Sequence, residues 1–283
     1  MRTFWKIAVT FGVLGLFVII IAFMMAYMIG DFKGLDLSGA GGEVAIVPIQ
    51  GDITLGGCGS SLLFATSCAE VDTFKSELKA ADDDPAVKAI VLDIYSGGGD
   101  VVASREMMRA VKNTEKPVVA WIGEIGASGA YYVASSADKV VADDDSMTGS
   151  IGVIMPVTQY YKLMDNIGVN VTVIKAGDSK DIASPYRPMR EDEKEELQSM
   201  IDKVYDSFVV DVARNRNLSV DYVRNISRGK IYLGSEAKDL GLVDELGGLD
   251  DAVKLAGKLG GISGEPTVKR QERKVGLLDL LNS

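Results

Sequence analysis

Histidine is absent from the sequence. Its absence removes the Ser-His-Asp triad, the Cys-His pair, zinc sites built on imidazole and any histidine general base, so hydrolysis by this chain needs a different proton acceptor. Cysteine is nearly absent. Cys58 and Cys68 alone can close a small disulfide loop in an exported domain or stay as buried thiols, and the sequence leaves both open. Positive charge is the scarcer sign, with 30 Lys and Arg against 40 Asp and Glu for a net charge of -10, and no basic stripe interrupts that balance before the C-terminal tail. A nucleic-acid partner is thereby excluded, because binding phosphate backbones needs a basic surface. Acidic clusters occur at Asp82 to Asp84 and Asp143 to Asp145, but neither has calcium-loop spacing and both read as solvated turns. No catalytic metal and no cofactor is expected.

What the chain has in excess is apolar sequence at its start. Ile7 to Ile29 carries no charge, and at about 1.5 Å per residue it is long enough to cross a hydrocarbon core of about 30 Å. A cleaved leader would have an apolar stretch of about 7 to 15 residues and a small-x-small site. Met28-Ile29-Gly30 provides neither, so the segment is expected to stay as a single membrane anchor. Arg2 and Lys6 precede it whereas Asp31 and Lys33 cancel after it, which places the N-terminus in the cytoplasm and the rest of the chain on the outer face. The 283 residues are enough for one large domain or two small ones with a substantial core. The expected organisation is an N-terminus and transmembrane anchor over 1–30, a glycine-rich linker over 31–42, a domain over 43–260 and a flexible tail over 261–283. That tail joins Lys269, Arg270, Arg273 and Lys274 to a leucine-rich end, suited to anionic lipid, to a peptide groove or to disorder.

Hydrophobic periodicity divides the domain. Val44 to Ile49 reads as a strand, and Val71, Phe74 and Leu78 mark a helix face that ends at Asp84-Pro85. A second strand, Ala89 to Tyr95, is broken by Ser96-Gly97-Gly98-Gly99, and a helix carrying Val102, Met107, Met108 and Val111 follows. Val118 to Ile122 is again a strand, Gly126 to Gly129 a turn of small residues, and Ala130 to Ser135 the start of a helix. Val140-Val141, Ile151 to Met155 and Val169 to Ile174 add short strands, with a helix over Gln159 to Ile167 between the last two. This alternation predicts an α/β domain with mainly parallel pairing. From Glu191 onward Leu197, Ile201, Tyr205, Phe208 and Val212 form a helical stripe, read as core packing. Ile231 to Leu233, the Glu236 to Leu240 turn and Leu249 to Leu259 complete the domain.

Ser128 is the residue around which these elements are arranged. It falls at a helix start, where backbone N–H groups and the positive end of the helix dipole favour a developing anion; capping that helix is the commoner role of a serine so placed. Gly97 to Gly99 hold the corresponding turn after the preceding strand, and Asp100 beside them would repel a phosphate. Two such turns side by side offer one N–H each to an oxyanion, Gly98 or Gly99 from the first and Gly129 from the second. A serine nucleophile without histidine calls for a neutral lysine. With a free pKa of about 10.4 the neutral amine lies roughly 4 to 5 kcal/mol uphill at pH 7, and burial, which lowers a lysine by as much as about 3 to 5 units, removes most of that. Lys175 and Lys180 both follow the strand expected at Val169 to Ile174, and spacing does not choose between them.

Three motifs in order, Ala127-Ser128-Gly129-Ala130-Tyr131-Tyr132, Thr148-Gly149-Ser150-Ile151-Gly152-Val153 and Lys180-Asp181-Ile182-Ala183-Ser184-Pro185, resemble the signal peptide peptidase family of membrane-anchored serine peptidases in its short, single-unit form. The resemblance covers roughly residues 43 to 257. It implies Ser128 as nucleophile, Lys180 as general base and Ser150 as the hydroxyl that orients the lysine. It further implies a Clp protease and crotonase-like fold of stacked strand-turn-helix units, a homo-oligomeric ring on the membrane with shared sites, and remnant signal peptides as substrates. Where that family usually reads Ser-Pro-Gly-Gly, this chain has Ser96-Gly97-Gly98-Gly99, which leaves open whether Gly98 or Gly99 donates to the oxyanion. The alternatives are a related Ser-Lys membrane peptidase that trims stomatin-like proteins, a crotonase-like acyl-thioester enzyme, and a catalytically silent scaffold.

Overall fold

A computed structural model of the protein describes residues 42–57 and 68–270, together with the backbone of 60–61 and 64–65. The anchor expected at Ile7 to Ile29, Cys58 and the leucine-rich end of the chain lie outside the described residues. Among those described, no helix is long and apolar enough to cross a membrane. Cys68 is disulfide-bonded.

The chain opens with strands β1 (Glu43–Gln50) and β2 (Asp52–Thr54), a short antiparallel pair β3 (Ser60–Ser61) and β4 (Phe64–Ala65), and β5 (Cys68–Glu70), which pairs in parallel with β2. Helix α1 (Val71–Asp83) leads to β6 (Val87–Ser96), α2 (Val101–Lys112) to β7 (Val118–Ala127), and the short α3 (Gly129–Ala134) to β8 (Lys139–Ala142) and β9 (Met147–Gly149). After α4 (Tyr161–Asn166), α5 (Glu191–Asn215) and α6 (Val220–Ile226) come β10 (Ile231–Leu233), α7 (Gly234–Asp239), β11 (Glu245–Leu246), α8 (Leu249–Leu259) and β12 (Thr267–Arg270). The main sheet runs β10-β9-β7-β6-β1-β12, with β8 attached to β7 and β11 to β8. Every pairing in it is parallel except β9 with β10. Two-sided burial explains why β1, β6 and the first half of β7 are almost continuously apolar rather than alternating. Val44, Ile46, Ala89 and Val91 face a core closed by Ala252, Val253 and Ala256 of α8. Their neighbours Ala45, Val47, Ile90 and Leu92 face a larger core filled from α1, α2, α3 and α5. Each Val, Ile or Leu among them, fully buried, contributes about 1.5–3 kcal/mol.

Two departures from the sequence reading bear on function. Thr267–Arg270, placed by sequence in the flexible tail, adds an edge strand along β1, and Lys269 ties it to Asp84 at 2.6 Å. The second is larger: Ile151 to Met155 and Val169 to Ile174 are not strands. Between Val169 and Ile174 the only backbone hydrogen bond among the described residues runs from the Val169 N–H to the Met164 carbonyl. Val169, Val171 and Val173 alternate as a strand should, yet all are exposed, and Ile154 and Ile174 are 90% and 97% exposed.

Candidate active site

Strand register brings the expected residues together. Ser96 pairs with Gly126 across β6 and β7, and Ala127 pairs with Gly149 across β7 and β9, so three strands end at one rim of the sheet. Adjacent strands are about 4.8 Å apart, which makes the next residues, Ser128 and Ser150, neighbours. The Ser128 N–H donates to the Gly149 carbonyl at 2.9 Å, and the Ser150 N–H donates to the Lys230 carbonyl at 2.8 Å. Both serines leave their strands with positive φ, 53° at Ser128 and 48° at Ser150. Such backbone costs about 1–3 kcal/mol per residue and persists only where its surroundings over-determine it, as the flanking ladders do here. The capping role does not hold: Ser128 occupies the N-cap position of α3 but its side chain makes no cap hydrogen bond. Instead, Ser128 and Ser150 line one cavity of about 610 Å³.

At the same rim the two glycines differ in their backbone partners. Gly98 donates its N–H to Ser96 Oγ at 3.1 Å and accepts from the Ile53 N–H at 2.9 Å, so its backbone is engaged. Gly99 and Gly129 line the cavity, and neither N–H has a partner among the described residues. They are close, since a Cβ built on Gly129 would stand 3.3 Å from the Gly99 nitrogen. That same Cβ would meet Ser104 Oγ at 2.2 Å. Gly129→Ala is therefore expected to lower both Tm and kcat/KM, by roughly 1–3 kcal/mol of overpacking in the first case. Adding Ser104→Ala removes the hard contact and leaves one at 3.2 Å, so the double variant should recover part of the Tm in a thermal melt. A Tm unchanged by Gly129→Ala would show that the turn yields freely.

Lys180 stands apart. It is exposed, its side chain makes no hydrogen bond or ion pair among the described residues, and it is not part of the cavity wall around Ser128. Lys175 is engaged differently, donating to the Asp178 carbonyl at 2.7 Å and pairing with Asp181. Asp181 is gripped in turn by Arg187 through Nε at 2.8 Å and Nη2 at 2.9 Å, and the far side of that guanidinium reaches Glu193 Oε2 at 2.7 Å. Glu193, at the start of α5, is 1% exposed. The Lys180 loop is thus pinned to a helix by charge. Hydrogen bonds from Arg187, then from Lys175, hold the Asp181 carboxyl far below the usual range, and Arg187 holds that of Glu193 at about 2. With both values depressed, the clamp is fully present above the ordinary carboxylate values of about 4 and is lost only as pH falls toward the folded ones.

Sequence reasoning missed much of the cavity wall. The stripe on α5 packs the core at its C-terminal half, through Tyr205, Phe208, Val209, Val212 and Ala213, whereas Gln198 and Ile201 face the cavity, which Tyr205 and Phe208 also border. Tyr132 packs on Phe208 in a tilted pair with ring centroids 4.6 Å apart and donates to Asp211; burial, then that carboxylate, push its phenol up to about 12 against the opposing pull of Arg105, so it stays neutral. Arg105, Ser227 and Arg228 also border the cavity. The last two arrive because the Gly229 N–H bonds the Ile151 carbonyl and β10 runs antiparallel to β9, a pairing without a local sequence signal.

Residues 110–263 match the family described as Peptidase family S49. The chain is 40% identical over 259 residues to a Methanocaldococcus jannaschii protein provisionally named a protease, spanning 90% of this chain and 83% of that one. It is 32% identical to Protease 4 of Haemophilus influenzae over 77% of this chain, and 30% identical to a chloroplastic serine protease, SPPA, of Arabidopsis thaliana over 78%. The matched region is 35% and 33% of those two longer proteins. In fold, the chain is similar to the solved structure of a membrane-bound stomatin-specific protease variant, with a TM-score of 0.52 and 14% identity over 83% of this chain and 99% of that one.

Proposed function

Because the chain belongs to peptidase family S49 and is a serine-type peptidase, we propose that Ser128 is its nucleophile, Lys180 its general base and Ser150 the hydroxyl that orients the amine. The enzyme is then an endopeptidase that degrades remnant signal peptides at the outer face of the cytoplasmic membrane, held there by Ile7 to Ile29. One observation carries the arrangement: Ser128 and Ser150 share a cavity, while the lysine loop stands outside it on an arm with an unpaired, exposed apolar strand pattern. Extended backbone with free N–H and C=O groups is a template for another chain, and exposed apolar side chains in such numbers mark an interface. A neighbouring subunit in a homo-oligomeric ring would cover the arm and receive its lysine.

In that site the Ser128 hydroxyl attacks the scissile carbonyl as its proton passes to the Lys180 amine. The oxyanion is received by the Gly99 and Gly129 N–H groups. Lys180 returns the proton to the leaving amine, then takes one from the water that hydrolyses the acyl-ester. Neutral amine is required at the first step, so the rate should rise from mildly acidic to basic pH, and Ser150→Ala should lower it. The decisive comparison is Lys180→Ala with Lys175→Ala, assayed on a quenched peptide. The first is expected to abolish cleavage and the second to be mild; equal damage in two folded variants would move the base to Lys175.

A further inference from the structure

Three buried side-chain polar atoms among the described residues have no hydrogen-bond partner: Glu43 Oε2, Arg105 Nε and Ser227 Oγ. Two of the three belong to residues lining the Ser128 cavity. Leaving such a group unpaired costs about 1–3 kcal/mol, and native interiors rarely tolerate it without a reason. Ser227 is 1% exposed, so solvent does not supply the missing bond.

Charge points the same way. Among the described residues Arg109, Arg187, Arg190, Arg214, Arg216 and Arg224 each form an ion pair with a carboxylate, whereas Arg105 and Arg228, both on the cavity wall, and Arg270 at the sheet edge form none; Arg105 reaches the Tyr132 hydroxyl instead. Arg105 and Arg228 therefore present charge at the cavity that no carboxylate of the described residues neutralises. Asp206 and Asp211 lie on Arg105's other side but are engaged, Asp206 with Arg224 at 2.6 Å and Asp211 with Arg214 at 3.1 Å and with the Tyr132 hydroxyl. The rest of the wall is mixed: Val101, Ile201 and Phe208 are apolar, whereas Tyr132, Gln198 and Asp202 are polar, and Asp202 is engaged by Gln198 Nε2 at 2.8 Å. A guanidinium on such a wall is suited to a carboxylate, which it can hold through two parallel bonds.

We propose that this cavity binds a carboxylate of the peptide substrate on Arg105, with Arg228 adding charge and Ser227 a hydrogen bond, so that the enzyme favours apolar peptides carrying negative charge where they enter it. The inference rests on the peptidase reading of Ser128 and deepens it with a substrate class. The carboxylate has two possible sources, a free C-terminus or an acidic side chain.

Four quenched fluorescent peptides of one apolar sequence separate these: one ending in a free carboxylate, one in an amide, and two amidated versions with Glu or Gln at one position. The full chain, Arg105→Gln and Arg228→Gln are assayed for kcat/KM, and the readout is the ratio within each pair. A charge-assisted bond is worth about 1.5–3 kcal/mol, so the native enzyme should favour the charged member of one pair by about tenfold or more. Arg105→Gln should bring that ratio close to one, and Arg228→Gln should reduce it by less. Preference in the first pair assigns the terminal carboxylate, and preference in the second assigns the side chain. Native ratios near one in both pairs overturn the proposal, and that measurement needs no variant to fold. A ratio that survives Arg105→Gln overturns it as well. Cleavage of none of the four, together with no labelling of Ser128 by a serine-directed phosphonate, would sink the peptidase reading and this subsite with it.

Discussion

Ser128→Ala is expected to abolish peptide hydrolysis, lowering kcat by about 10⁴-fold or more, the scale on which serine hydrolases lose activity when the nucleophile is removed. The fold should survive. The Ser128 side chain makes no cap hydrogen bond, and its backbone is held by Gly149 and Tyr132 through main-chain groups that alanine keeps. The positive φ of 53° is as costly for alanine as for serine, so stability should change by less than about 1 kcal/mol. Peptide cleavage beside a thermal melt tests both halves. A serine-directed phosphonate should label the native chain and not the variant. A folded Ser128→Ala chain that still cleaves, or is still labelled, would remove Ser128 from the mechanism.

The second large effect is expected from mixing. Ser128→Ala and Lys180→Ala chains are each inactive alone, but if Ser128 of one subunit meets Lys180 of the next, a mixed ring contains junctions with both groups intact. Random assembly of equal amounts gives about a quarter of such junctions, and that fraction of native activity should return. Differential tags on the two variants, purified in series, prove that mixed rings were assayed. Mixed rings with no activity would place the dyad within one chain. The result matters because the alternative requires the arm from residue 153 to 190 to fold back over its own cavity, and its exposed valines have no partner strand within the described residues to dock on.

How much of this was legible in the sequence depends on where each signal resides. Strands β1, β6 and β7 lie where continuous apolar runs put them, because burial on both faces leaves nothing else for those residues to be. Val169 to Ile174 has an equally good strand pattern and forms none, since a strand needs an edge and this one has no partner among the described residues. The turn at Ser128 was readable from small residues between a strand and a helix. Its neighbour Ser150 was reachable only through family resemblance, because the two meet by strand register and not by spacing. Arg105 and Ser227 were invisible for a plainer reason: one Arg on a helix and one Ser in a turn look ordinary until Arg105 Nε and Ser227 Oγ are found buried with no hydrogen bond among the described residues.

Helix α5 would give a ring with shared sites a further property. Its Glu193 end grips the loop that carries Lys180, and its Phe208 region packs beneath the cavity beside Ser128, about 22 Å along the same rigid rod at 1.5 Å per residue. If the lysine serves the next subunit, each rod joins one subunit's substrate groove to its neighbour's proton acceptor. Filling a groove and tilting its rod would then be felt at the adjoining site, and the ring would behave as a circuit wired in series. Its velocity would follow substrate concentration with a Hill coefficient different from one, and loosening the joint by Arg187→Gln would restore a hyperbola.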